Sequence, residues 1–134
     1  MINKRQKKEL PVITLSSAAV SAAFDVTAYK HILLSVGSDT AANLTFKVRG
    51  AAERQQTIAV SIDTAQGLDN RWDYIQVKDR EDDAGINGDT GIALSGKDAR
   101  LFEVNTNSLD YIAIDVTAYT AGTGKVVVSG YSNA

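Results

Sequence analysis

Apolar and polar residues alternate with a period of two along most of this chain. Leu44, Phe46 and Val48 interleave with Thr45, Lys47 and Arg49. Successive side chains of a strand point to opposite faces, so this pattern predicts a strand with one face in a core and one in water. Ile58, Val60 and Ile62 repeat it. So do Ile112, Ile114 and Val116, which alternate with Tyr111, Ala113 and Asp115. Shorter apolar runs predict further strands over 12–15, 30–36, 72–77, 92–94, 101–104 and 125–129. Clusters of Gly, Asn, Asp and Ser separate them, notably 37–42, 63–71 and 79–90, and these predict turns and loops. The Ala- and Ser-rich run 16–23 reads as a small-residue strand or a loop. It does not read as a helix, because Asp25-Val26-Thr27 follows with no cap or breaker between. About eight to ten short strands at this spacing predict an all-β fold, an antiparallel β-sandwich of jelly-roll type.

One motif occurs twice. Asp25-Val26-Thr27-Ala28-Tyr29 leads into the strand at 30–36, and Asp115-Val116-Thr117-Ala118-Tyr119 leads through Gly122-Thr123-Gly124 into the last strand. The repetition predicts equivalent hairpins in two sheets, with Tyr29 and Tyr119 each closing a turn through its hydroxyl, as a tyrosine corner does. Three consecutive valines, Val126, Val127 and Val128, predict a final strand buried on both faces, by the second sheet or by another subunit.

Composition narrows the class. With 134 residues, 44% of them hydrophobic and 22% charged, the chain has the make-up of one soluble domain with a core of its own. The net charge of −2 gives no general attraction to nucleic acid. The charge is uneven, however. Residues 1–10 carry Lys4, Arg5, Lys7 and Lys8 against Glu9 alone, which leaves the remainder acidic. These ten residues show no periodicity and predict a flexible basic segment, either a frayed terminus or an arm suited to an acidic partner or nucleic acid, ahead of a single domain at 11–134. Pro11, the sole proline, suits the start of the first strand because it lacks a ladder donor. There are no cysteines, so disulfides, thiolate catalysis and zinc–thiolate sites are all excluded. No apolar run is long enough to span a bilayer, and the amino terminus lacks the apolar stretch of a signal peptide. The sequence therefore predicts folding in a reducing cytoplasm, with no membrane partner.

Candidate chemistry is sparse. The acidic loop 79–89 offers oxygen ligands to a hard cation, and Asp79, Asp82, Asp83, Asn87 and Asp89 would supply them. Its spacing fails the calcium-loop pattern, since Leu94 stands where a bidentate Glu is needed. A solvated loop is the expectation, with no metal and no cofactor. His31 is the one histidine, so no imidazole cluster can form. Gly85 to Gly91 is glycine-rich but lacks the Gly-Lys-Ser/Thr ending of a phosphate loop. Trp72 and Tyr74 share a face if they lie on one strand, which makes them a candidate sugar-stacking pair or a packing pair. No nucleophile–base arrangement is visible, so no enzyme is expected.

The two Asp-Val-Thr-Ala-Tyr segments, Phe46-Lys47-Val48-Arg49-Gly50, Trp72-Asp73-Tyr74 with the Gly-rich loop after it, and the closing Gly122 to Gly130 together resemble small β-sandwich proteins of tailed-bacteriophage virions. Capsid decoration, head-fibre and tail-associated components belong to that group. The resemblance covers the chain from about Ser16 onward and implies no catalytic residues. It implies a virion structural protein, made in a bacterial cytoplasm, that binds and stabilises an assembled shell. The implied partners are a major capsid protein or other virion proteins, together with self-association, such as a trimer about a shell axis. We expect partner contacts from Lys4, Arg5, Lys7 and Lys8, from Val126 to Val128, and from the segment 16–23. The competing expectation is a carbohydrate-binding or adaptor module of a tail, neck or fibre, with Trp72 and Tyr74 as its ligand face.

Overall fold

A computed structural model describes residues 5–53 and 71–133. These form eleven strands and no helix. The strands are β1 (Arg5–Leu15), β2 (Phe24–Asp25), β3 (His31–Ser38), β4 (Asn43–Ala51), β5 (Asp73–Tyr74), β6 (Val77–Asp79), β7 (Gly85–Ile86), β8 (Ile92–Ser95), β9 (Asp98–Asn105), β10 (Tyr111–Ala121) and β11 (Gly124–Asn133). Six of them make a larger sheet in the order β1-β11-β3-β9-β6-β7. The other five make a smaller sheet, β2-β10-β4-β5, with β8 also paired to β4. Every pairing is antiparallel. The predicted strand at Ile58–Ile62 lies outside the described residues.

The alternation seen in the sequence builds the core. Ile32, Leu34, Val36, Phe102, Val104, Val126 and Val128 face inward from the larger sheet. Phe24, Leu44, Phe46, Val48, Ile112, Ile114 and Val116 face inward from the smaller one, and all of them join one buried cluster. Two layers of aliphatic and aromatic side chains packed face to face define a β-sandwich. Burying a side chain of this size contributes about 1.5–3 kcal/mol.

Several expectations are corrected. Residues 5–10, expected as a flexible arm, are the first half of β1, paired with β11 from Arg5 opposite Asn133 to Glu9 opposite Ser129. The long β11 leaves a full row of ladder groups that the basic segment satisfies. The aromatic-led strand expected over 72–77 is two short strands in different sheets, because the chain crosses the sandwich at Ile75 and Gln76. Tyr111–Val116 continues to Ala121, with register shifts at Val116/Ala118 and Tyr119/Ala121.

The repeated motif does not make two hairpins. Each copy starts in the smaller sheet and delivers the chain to the larger one, as β2 to β3 and as β10 to β11. β2 and β10 are antiparallel neighbours, and so are β3 and β11. The two copies then diverge. After Asp25 the chain turns at once, its Oδ1 accepting from the Thr27 N–H at 2.8 Å and from the Thr27 hydroxyl at 2.6 Å. Asp115 instead lies within the long strand β10. Tyr119 does close a turn, donating its hydroxyl to the Gly122 carbonyl at 2.7 Å. Tyr29 lays its ring against Gly130 instead.

Two sheet-crossing corners are tied to one another. The Thr123 N–H donates to Asp39 Oδ1 at 3.1 Å, and the Asp39 N–H donates to the Thr123 carbonyl at 3.0 Å. Gly122, with a φ of 78°, presses on the backbone of Ala41 and Ala42. Only glycine combines that dihedral with so close an approach.

Candidate functional site

The outer face of the larger sheet is the best candidate for contact with other molecules. The same alternation that buries Ile32, Leu34 and Val36 turns His31, Leu33 and Ser35 outward on β3. On either side, register places Tyr131, Ser129 and Val127 of β11 and Asn105, Glu103 and Leu101 of β9 in matching rows. β1 adds Val12 beside Val127 and Glu9 beside Ser129. Val12 at 58% exposure and Leu101 at 46% are two of the three large apolar residues that stand out in water among the described residues, the third being Tyr119.

A shallow cavity of about 500 Å³ opens on this face, lined by His31, Leu33, Leu101, Glu103, Tyr131 and Arg80. A second of about 420 Å³ adjoins it across the His31–Glu103 pair and reaches Gln76, Lys78, Gly85 and Asn105. Between the two, the Glu103 carboxylate has a neighbour on each side and accepts a hydrogen bond from Arg80. His31 Nδ1 lies 3.3 Å from Oε1, and Arg80 Nη1 lies 3.3 Å from Oε2. Pairs this exposed are worth about 1 kcal/mol or less each. They fix the orientation of the side chains that border the cavity. A tyrosine ring, an imidazole, a guanidinium and a carboxylate around an apolar floor can hold a polar partner by hydrogen bonds and stacking.

The smaller sheet has a different outer face, and much of it is closed. Arg49 and Asp115 face away from the main core, yet Arg49 is 0% exposed. Its Nε donates to Asp115 Oδ2 at 2.8 Å, and the Tyr74 hydroxyl donates to the same oxygen at 3.0 Å. Trp72, Ala51 and Ala113 form a second buried cluster beside them, with Val20, Tyr74 and Tyr111 packed against it. The sugar-stacking reading of Trp72 is therefore corrected. At 2% exposure it presents no ring face to a ligand. Tyr74 is half-buried, and Lys47 Nζ sits 4.7 Å from its ring centroid. The Arg49–Asp115–Tyr74 network was not legible in the sequence, because its members belong to three strands far apart in the chain.

The acidic loop is organised by its own bonds. Asp79 Oδ1 accepts from the Glu81 N–H at 3.0 Å, and Oδ2 accepts from Arg100 Nη2 at 2.7 Å. Asp82 accepts from the Ala84 N–H, and Asn87 from the Asp89 N–H. Asp83 pairs with Lys78 at 3.2 Å and with Arg80 at 3.7 Å. Among the described residues, no three His, Cys, Asp or Glu side chains converge as ligands for a metal ion. The Glu81 amide, and then the Arg100 guanidinium, hold the Asp79 carboxyl below the usual carboxylate range.

The residues expected at partner contacts separate. Val126 and Val128 are fully buried in the sandwich core, so they are corrected from contact residues to packing residues. Val127 alone lies on the outer face, half-buried. The segment 16–23 is drawn into the smaller sheet's edge. Val20 bridges Asp115, and the Ser21 hydroxyl accepts from the Ile114 N–H at 2.9 Å. Lys8 is exposed on β1, Arg5 and Lys7 are strand residues of β1, and Lys4 lies outside the described residues.

No family model matches the chain, and no curated protein matches it by sequence. Among solved structures, the fold is similar to that of the SPBc2 prophage-derived protein YomS. The TM-score is 0.58 at 12% sequence identity, over 98% of this chain and 96% of that one. The chain thus shares an all-β sandwich fold, end to end, with a prophage-derived protein.

Proposed function

We propose that this chain is a structural protein of a bacteriophage particle that binds and stabilises the assembled shell. The observation that carries this reading is the end-to-end similarity of fold to a prophage-derived protein of nearly equal extent. It agrees with the sequence resemblance to small β-sandwich virion proteins. The disposition of charge also supports a scaffold. Asp79, Asp82, Asp83, Glu103 and Asp115 all orient loops or hold ion pairs within the domain. A protein that binds only the assembled shell stabilises it by mass action, and many symmetric copies multiply the effect.

A second reading, an adaptor or glycan-binding module of a tail, neck or fibre, draws on the cavity bordered by Tyr131, His31, Arg80 and Glu103. Quantitative mass spectrometry of purified particles separates the two. Copies in proportion to the major shell protein support decoration. A few to a few tens of copies support the tail, neck or fibre. Absence from particles overturns both.

A further inference from the structure

On the larger sheet's outer face, register sorts the residues of β1, β11, β3 and β9 into four rows, of which the outermost joins Lys7, Tyr131, His31 and Asn105 and the other three form the proposed contact. The middle row is Val12, Val127, Ser35 and Leu101. The row on one side contains Thr14, Lys125, Gly37 and Ala99. The row on the other contains Glu9, Ser129, Leu33 and Glu103. A largely apolar row thus lies between a flank that carries Lys125 and a flank that carries Glu9, with Glu103 on the same side already paired to His31 and Arg80. Among the side chains described, which begin at Lys8, neither Glu9 nor Lys125 has an ion-pair partner. Lys125 stands two positions from Val127, and Glu9 pairs with Ser129, two positions from Val127 on the other side, so each lies about 7 Å from the middle row.

We propose that this face binds a second copy of the same chain, through a two-fold axis running along the Val12–Val127–Leu101 row. Rotation about that axis lays each apolar row on its own image. It also exchanges the flanks, so that Lys125 of one copy meets the Glu9–Ser129 flank of the other, and the reverse. An isologous interface requires such a self-complementary patch. A face whose two flanks carry opposite charge satisfies this without like-charge contact and adds attraction.

The edges of the sheets favour the face as the contact. Unpaired strand edges are the usual alternative route to association. Here β2, β5 and β7 span two residues each. β1 is interrupted by Pro11 and by a register shift between Glu9 and Val12. The four strands and three rows cover on the order of 500 Å² per copy, below the roughly 800 Å² of a standard interface. A weak dimer follows, with Kd in the micromolar range or above. The inference goes beyond the virion reading, since it concerns the isolated chain whether or not it enters a particle.

Sedimentation of the full chain over a range from about 5 μM to about 1 mM tests it. We expect a monomer–dimer equilibrium. Ser35→Lys adds a charge at an exposed position in the middle row and removes no core packing. It should weaken the dimer at least tenfold while the thermal melt stays unchanged, and Leu101→Lys should do the same. Lys125→Glu and Glu9→Lys should each weaken it about fivefold. The double exchange Lys125→Glu with Glu9→Lys should restore it toward the original affinity. A monomer at every concentration overturns the proposal and leaves the row to another protein. So does a discrete trimer, an unchanged Kd in Ser35→Lys, or a double exchange no tighter than either single change.

Discussion

The Arg49 guanidinium and the Asp115 carboxylate meet at 2.8 Å on the outward side of the smaller sheet, where both are shut away from water. They come from adjacent strands, with Arg49 opposite Ala113 and Asp115 opposite Lys47 in the β4–β10 ladder. A buried ion pair adds little net stability when intact, because desolvation offsets attraction. Losing one partner is a different matter, since it strands a buried charge. Asp115→Ala should therefore destabilise the fold by about 3–5 kcal/mol. Tyr74→Phe removes one donor to that carboxylate and should cost about 1.5–3 kcal/mol. Urea denaturation of the two variants gives both numbers. Equal losses would show that the network does not centre on Asp115.

A carbon added at Gly130 would meet the Tyr29 ring at 2.7 Å. The ring lies flat on β11 because glycine leaves room there, and the Tyr29 carbonyl is held by the Thr106 hydroxyl at 2.8 Å. Gly130→Ala should cost about 1–3 kcal/mol through forced repacking. Pairing it with Tyr29→Ala should recover part of that loss. A double variant whose losses simply add would show that the two residues do not touch in solution.

Asp79 gives a pH dependence with a definite sign. Its carboxyl titrates below its ordinary value in the folded chain, so the unfolded chain holds the proton more tightly. The stabilisation is complete above the ordinary carboxylate pKa of about 3.9 and fades as pH falls through the lower, folded value. Chemical denaturation between pH about 5 and about 2 should show stability falling with acid. The Asp79→Asn variant should show a shallower fall over the same window. Identical slopes would remove Asp79 from the acid response.

The single tryptophan reports on the smaller sheet's outer face. Trp72 is buried beside Ala51 and Ala113, so its emission should be blue-shifted and resistant to iodide. Added glycans should leave it unquenched. Red-shifted emission with ready quenching would reopen the sugar-stacking reading.

Period two in the sequence was enough to determine the main body of most of the longer strands of the sandwich and which of their residues fill it, though not the first half of β1, the short strands β2 and β7, or the split of 72–77 into β5 and β6. In β4 and β10 the inward and outward sets followed directly, because a one-residue slip would have exposed Phe46 and Ile114 to water. The repeated Asp-Val-Thr-Ala-Tyr motif marked two matched passages between the sheets. Sequence alone could not separate Tyr29 from Tyr119, nor Asp25 from Asp115. Identical local residues met different neighbours, a glycine surface in one place and a turn carbonyl in the other. The three valines looked alike in the chain, yet alternation sends Val126 and Val128 into the core and leaves Val127 outside. The basic start looked like an arm because it carries no apolar period. It became a strand because β11 extends far enough to pair with it. The Arg49–Asp115 pair and the charge-flanked row on the larger sheet are products of register between strands distant in the chain. Tertiary structure alone decided them, because local pattern fixes which face a residue takes and only strand pairing fixes which residue lies beside it.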